Sequence, residues 1–212
     1  MKSLKIYPDT CPENPRQFSD HTSKIAYKHR NYTLGDEVIG EPIEWLEDKL
    51  GLSRKGEYTN ERLAQLETQF FKKFIALPLY IYDHSGVTMS TTPFSCQWDS
   101  SKVGYIYASK GDVRKDWNVP RVSHKLKQQI LEQFKAEIKE FSSYLSGDVY
   151  AYDVLDDTDE NGSDSCGRFY GRNFEENGLI EYLNYEDFGL NSREELVKYV
   201  NSIEISYDNE ED

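Results

Sequence analysis

The sequence predicts an α+β fold: one domain in which a mostly antiparallel sheet packs against several helices, one of them long. Three observations carry this expectation. Apolar residues Leu126, Ile130, Phe134, Ile138, Phe141 and Leu145 step by three or four along Ser123–Ser146, and Gly147 follows. Leu77–Tyr82 and Val103–Ser109 are rich in Tyr, Ile and Val, as strands are. Although only 37% of the 212 residues are hydrophobic and the mean hydropathy is −0.77, 29 are aromatic, more than a disordered chain would carry.

The elements follow in order. Leu4–Tyr7 reads as a short strand, and a polar, proline-broken stretch runs from there to about Arg30. Pro42 suits the first turn of a helix with Ile43, Leu46 and Leu50 on its apolar side and Gly51 at its end. Thr59 can cap a second helix, whose stripe is Leu63, Leu66, Phe70 and Phe74. The helix over 123–146 would be roughly 36 Å long at 1.5 Å per residue, enough to cross a sheet. Asp148–Val154 and Arg168–Tyr170 are further strand candidates. Ser192 and Glu195 form a capping box ahead of Leu196, Tyr199, Val200 and Ile203. The expected organisation is an irregular segment over 1–30, an α+β domain over 31–207 with an acidic last third, and an acidic tail over 208–212.

Charge is unevenly placed. Residues 1–147 carry 21 Lys/Arg and 19 Asp/Glu, a net of +2, whereas residues 148–212 carry 4 and 19, a net of −15. The total of −13 excludes a broadly basic nucleic-acid binder. Asp153, Asp156, Asp157, Asp159, Glu160 and Asp164 crowd one region, and Glu175, Glu176, Glu181, Glu186, Asp187, Glu194 and Glu195 follow on segments read as helical. The plain reading is a solvated loop and a frayed tail. The sharper one is a folded face that imitates the phosphate rows of DNA, which recur at about one charge per 1.7 Å of duplex axis.

The densest chemistry lies over 83–100, where a carboxylate, an imidazole, a thiol and several hydroxyls occur without Lys, Arg or Glu. Cys96 as nucleophile, His84 as base and Asp83 or Asp99 as its orienter would make a Cys–His hydrolase, acting on a nucleotide signal or a peptide. The plainer reading makes His84-Ser85-Gly86 a tight turn capped by Asp83, with Cys96 and Trp98 as packing residues. A zinc site would need His84, Cys96 and Cys166 to converge without any Cys-x-x-Cys pairing to support it, so no metal is expected. Phosphate-loop, dinucleotide-fold and zinc-protease signatures are all missing, so no cofactor is expected either. Arg168, beside Cys166, is expected to neutralise Asp148 or Asp164. Three widely spaced cysteines suit a reducing cytoplasm. Phe74–Tyr82 is too short to span a bilayer, and Met1–Pro15 lacks an apolar signal core.

The run Leu77-Pro78-Leu79-Tyr80-Ile81-Tyr82-Asp83-His84-Ser85-Gly86, continued by Thr91-Thr92-Pro93-Phe94-Ser95-Cys96-Gln97-Trp98-Asp99-Ser100 and Val103-Gly104-Tyr105-Ile106-Tyr107, resembles a family of proteins carried by bacteriophages, prophages and plasmids. Leu145–Tyr150 and Asp164–Gly171 resemble later blocks of the same family, so the resemblance spans roughly Asn31 to Leu183. It brings no catalytic residues with it. It implies an accessory protein of a mobile element, working in the host bacterial cytoplasm.

Three functions follow from these readings. The first is a counter-defence inhibitor of anti-CRISPR or antirestriction type, whose acidic face binds a host nuclease or other defence protein and not nucleic acid or membrane. The Cys–His hydrolase is the second. The third is a passive docking module: Tyr80, Tyr82, Tyr105 and Tyr107 alternate along their strands, so a tyrosine-lined face would look outward while the long helix covers the other. Self-association is one version of that docking.

Overall fold

Pairing between distant strands, more than local propensity, organises this chain. The computed structural model describes residues 2–18, 20–53, 58–84, 86–95, 100–156 and 164–207. Its strands are β1 (Lys2–Pro8), β2 (Lys24–Tyr27), β3 (Glu37–Val38), β4 (Ile75–Asp83), β5 (Val87–Ser90), β6 (Ser100–Ala108), β7 (Val149–Asp156) and β8 (Asp164–Tyr170). Its helices are α1 (Pro15–Phe18), α2 (Pro42–Leu50), α3 (Asn60–Lys73), α4 (Lys110–Asp116), α5 (His124–Ser146) and α6 (Arg193–Ser202). Two 3-10 turns, Leu179–Tyr182 and Tyr185–Phe188, precede α6. The class is α+β as expected, with the long helix in place and every strand pair antiparallel except β2 with β3. Among the described residues no helix is long and apolar enough to cross a membrane.

Contacts gather the chain into two compact units, Met1–Gln17 with Ser143–Asp212, and Phe18–Ser142. The first is built on a three-stranded sheet in the order β1-β7-β8. Ile6, Tyr152, Phe169, Leu179, Leu196 and Val200 are buried together at its core. Ser192 caps α6 by accepting from the Glu195 N–H, while the Glu195 carboxylate accepts from the Asn191 N–H at 2.9 Å, close to the expected box. The strand expected over Leu4–Tyr7 is present within β1, and the stretch grouped as irregular over 1–30 also holds β2. Four residues of strand pattern are a weak local signal, and β1 is stabilised by β7, more than 140 positions away.

The second unit holds a five-stranded sheet in the order β3-β2-β6-β4-β5. Thr59 caps α3 by accepting from the Arg62 N–H, and Gly51 ends α2 in the left-handed region at φ 74°. These two helices cover Tyr105 and Tyr107, which corrects the expectation that those rings look outward, while Tyr80 and Tyr82 on β4 are half-buried. Tyr105 and Tyr107 are 3% and 5% exposed and pack with Trp45, Leu46, Leu66, Phe70 and Phe74. The cause is the apolar stripe of α2 and α3, which needs an apolar partner and finds the tyrosine rings. Their hydroxyls donate to Glu67 and Glu37. Helix α5 is tied to the same unit by the Ser142 hydroxyl, which accepts from the Met89 N–H on edge strand β5 at 2.9 Å.

Candidate functional site

The central block builds a hairpin before it builds any site. Val87–Ser90, not among the expected strands, is strand β5 and pairs with β4 in register Tyr82↔Thr88. The connecting turn carries His84, whose N–H donates to the Gly86 carbonyl at 3.2 Å. The imidazole lies 6.0 Å from the Tyr82 ring, and Asp83 accepts from the Tyr32 hydroxyl at 3.4 Å. Both Asp83 and His84 are exposed. Cys96, Trp98 and Asp99 lie outside the described residues. Cys11 and Cys166 are free thiols, and among the described residues no group of three His, Cys, Asp or Glu side chains could hold a metal ion.

The carboxylates named as partner-binding divide between the two ends of the first unit's sheet. Asp153, Asp156, Asp164 and Asp187 gather at the end where β7 leads toward β8: Val154 pairs with Asp164, Lys2 pairs with Asp156, and the Lys2 ammonium meets Asp187 at 3.2 Å. Burial and the Asp164 charge push the neighbouring Tyr152 phenol up to about 12. Glu175 and Glu176 follow the opposite end, beyond Tyr170. Their N–H groups donate to the Asn173 side chain, and Asn177 ties back to the Gly171 carbonyl. Glu181 is engaged by Arg193, and Glu186 opens a 3-10 turn capped by Asn184. Asparagine side chains hold these segments as turns, so the spacing is not that of one continuous helix. Asp157, Asp159 and Glu160 lie outside the described residues. Arg168 pairs with Glu13, not with Asp148 or Asp164. Asp148 instead accepts from the Tyr150 hydroxyl at 2.6 Å. The Arg168 backbone sits at φ 68°, at a point where the β7–β8 register shifts, and this aims its side chain at a partner 155 positions away.

Two groupings in the second unit escaped the sequence reading. In the first, the buried Glu137 carboxylate receives the Ser23 hydroxyl, the Gln133 amide at 3.1 Å and the His21 ring at 3.3 Å. The Ser23 hydroxyl and the His21 ring both meet the same Glu137 oxygen, Oε2. Ser23 is only 2% exposed, and the arrangement is one of satisfied buried polar groups.

The second is a cavity of about 410 Å³ where the 110–123 segment turns into α5, lined by Ile75, Lys110, Arg114, Pro120, Arg121, Val122, Ser123, His124 and Lys127. Five of these side chains are basic and none is acidic. The Lys110 ammonium donates to the Lys72 carbonyl at 3.0 Å and Arg114 Nε to the Lys110 carbonyl at 3.2 Å. Ser123 caps α5 by accepting from the Leu126 N–H at 3.1 Å. A sequence signal did exist: residues 102–127 carry 7 Lys/Arg against 2 Asp, a local net of +5 that the near-neutral total of 1–147 conceals. No protein-family profile, curated protein or solved structure matches this chain.

Proposed function

We propose that the protein acts by docking its carboxylate-rich unit onto a basic, nucleic-acid-binding surface of a protein partner. The observation that carries this reading is the division of charge between the two units. Met1–Gln17 with Ser143–Asp212 holds 7 Lys/Arg and 21 Asp/Glu, a net of −14, whereas Phe18–Ser142 holds 18 and 17. With three carboxylates for every cation, most acidic groups of the first unit have no cation of their own there, and the unit projects a negative field. Such a field attracts the basic grooves that enzymes use for DNA, and the attraction weakens as salt shortens its range. The resemblance to mobile-element proteins makes a host defence nuclease the first partner to test, and counter-defence the role.

The test is binding of the purified protein to a panel of restriction nucleases and CRISPR effectors, with DNA as competitor and with ionic strength varied. Expected is binding that DNA displaces, that salt weakens, and that the combined Asp156→Asn, Asp164→Asn, Asp187→Asn variant loses in part. Binding indifferent to salt and to these substitutions removes the acidic-docking mechanism. A panel that shows neither binding nor protection of an infecting phage removes the counter-defence role.

A further inference from the structure

We infer that the cavity at the start of α5 is a binding site for a small polyphosphate-bearing ligand of the nucleoside di- or triphosphate class. This site lies wholly within Phe18–Ser142 and is independent of the acidic docking reading. Its volume of about 410 Å³ falls inside the roughly 300–1,000 Å³ usual for small-ligand pockets.

The lining has two chemistries. Lys110, Arg114, Arg121 and Lys127 supply the charge, and the His124 ring lines the space beside them. Among the described residues no carboxylate forms an ion pair with any of them. Of the carboxylates on α4, Asp112 is held by the Ser109 hydroxyl at 2.6 Å, and neither it nor Asp116 lines the cavity. Concentrating unpaired cations in a concave site is electrostatically costly without an anion, and a di- or triphosphate supplies a matching charge in a compact group. The two arginines suit bidentate grip on phosphate oxygens. The first backbone N–H groups of the 23-residue α5 add partial positive charge beside them. Pro120 and Val122 form the accessible apolar wall, with Ile75 buried behind it, which fits a ligand whose phosphates are joined to a flat apolar body.

Calorimetric titration of the full chain with inorganic pyrophosphate, with ATP and with a single-stranded oligonucleotide tests the assignment. Expected is saturable binding of ATP that is tighter than that of pyrophosphate. The Arg121→Glu, Lys127→Glu variant should weaken it by about a hundredfold, since removing each charge-assisted hydrogen bond costs about tenfold or more in affinity. Lys125→Glu, half that charge change, on α5 outside the cavity lining, should weaken it by less than about threefold, the scale of a screened exposed charge. Arg121→Gln, Lys127→Gln gives the same reading without charge reversal, and all of these positions are surface residues whose circular dichroism should match the parent. The inference is overturned if neither pyrophosphate nor ATP binds at low salt. Equal weakening in Lys125→Glu would overturn it too, because that marks a diffuse field. So would an oligonucleotide that binds more tightly than ATP through Arg121 and Lys127, because that marks a nucleic-acid surface.

Discussion

Replacing Gly104 by Ala should open the second unit's sheet between β2 and β6. Gly104 lies opposite Tyr27 of β2 and Leu79 of β4. A Cβ there would stand 1.9 Å from the Ala26 carbonyl oxygen and 2.9 Å from both the Ala26 carbonyl carbon and the Tyr27 Cα. Carbon and oxygen approach comfortably at about 3.3 Å or more, so β2 must retreat by about 1.4 Å. That displacement exceeds the tolerance of N–H···O bonds, which lengthen beyond use past about 3.2 Å. The Lys28 N–H to Val103 carbonyl bond, 2.7 Å long, would be among those broken. Two such bonds at about 1 kcal/mol each, with overpacking at about 1–3 kcal/mol, give a cost of roughly 3–5 kcal/mol. Because β2 carries Ile25 and Ala26 at 0% exposure, the strand has no alternative seat. Trp45, Trp98 and Trp117 all fall within residues 18–142, so tryptophan fluorescence in a urea titration follows this unit alone. Gly111→Ala is the control. Its Cβ meets only the Ser109 hydroxyl at 3.4 Å, on helix α4, and it should stabilise by about 0.4–1 kcal/mol. If Gly104→Ala unfolds within about 0.5 kcal/mol of the parent, the usual surface-substitution range, the close approach of β2 to β6 is refuted.

Glu37 accepts from Trp45 Nε1 at 2.9 Å, from Lys49 at 3.0 Å and from the Tyr107 hydroxyl at 2.9 Å. Burial raises its carboxyl pKa, but those three donors together lower it below the usual 4.5. A depressed folded value means that its stabilisation is complete above about pH 4.5 and is lost as pH falls through the lower folded value. Glu37→Gln should therefore flatten the acid limb of a stability profile of the second unit and cost about 1 kcal/mol at neutral pH; an unchanged acid limb counts against the charged node. At Arg168 the left-handed backbone costs a non-glycine residue about 1 kcal/mol, and its exposed pair with Glu13 returns little. Arg168→Gly should thus be more stable than Arg168→Ala by about 1 kcal/mol in thermal unfolding followed by circular dichroism, and the opposite order would exclude the left-handed turn. In the same unfolding experiment, Tyr150→Phe should lose the bond to Asp148 at a cost of about 1 kcal/mol, and a neutral result would mean that this hydroxyl is equally well solvated.

The helices were legible because their signals are local. Pro42 and Gly51 bracket α2, Thr59 caps α3, and the spacing from Leu126 to Leu145 draws α5, all within contacts three or four residues apart. The step in charge after residue 147 was equally plain, and it falls close to the boundary between the units at Ser142 and Ser143. Composition alone could not say that this step coincides with a division of the fold. That depends on β1 crossing 140 positions to pair with β7 and so bringing Met1–Gln17 into the acidic unit. The alternation of Tyr80, Tyr82, Tyr105 and Tyr107 identified one face of a sheet, yet whether that face meets water or helices is decided by the apolar stripe of α3 folding back over it. Arg168 finding Glu13, and His21 finding Glu137, are likewise products of chain crossing. The cavity at the start of α5 is the sharpest case. Lys110, Arg114, Arg121, His124 and Lys127 are visible as basic letters, but only the turn from α4 into α5 makes them converge on one space. Periodicity records what a residue's neighbours along the chain require, whereas a site is made by groups that the chain must travel far to bring together.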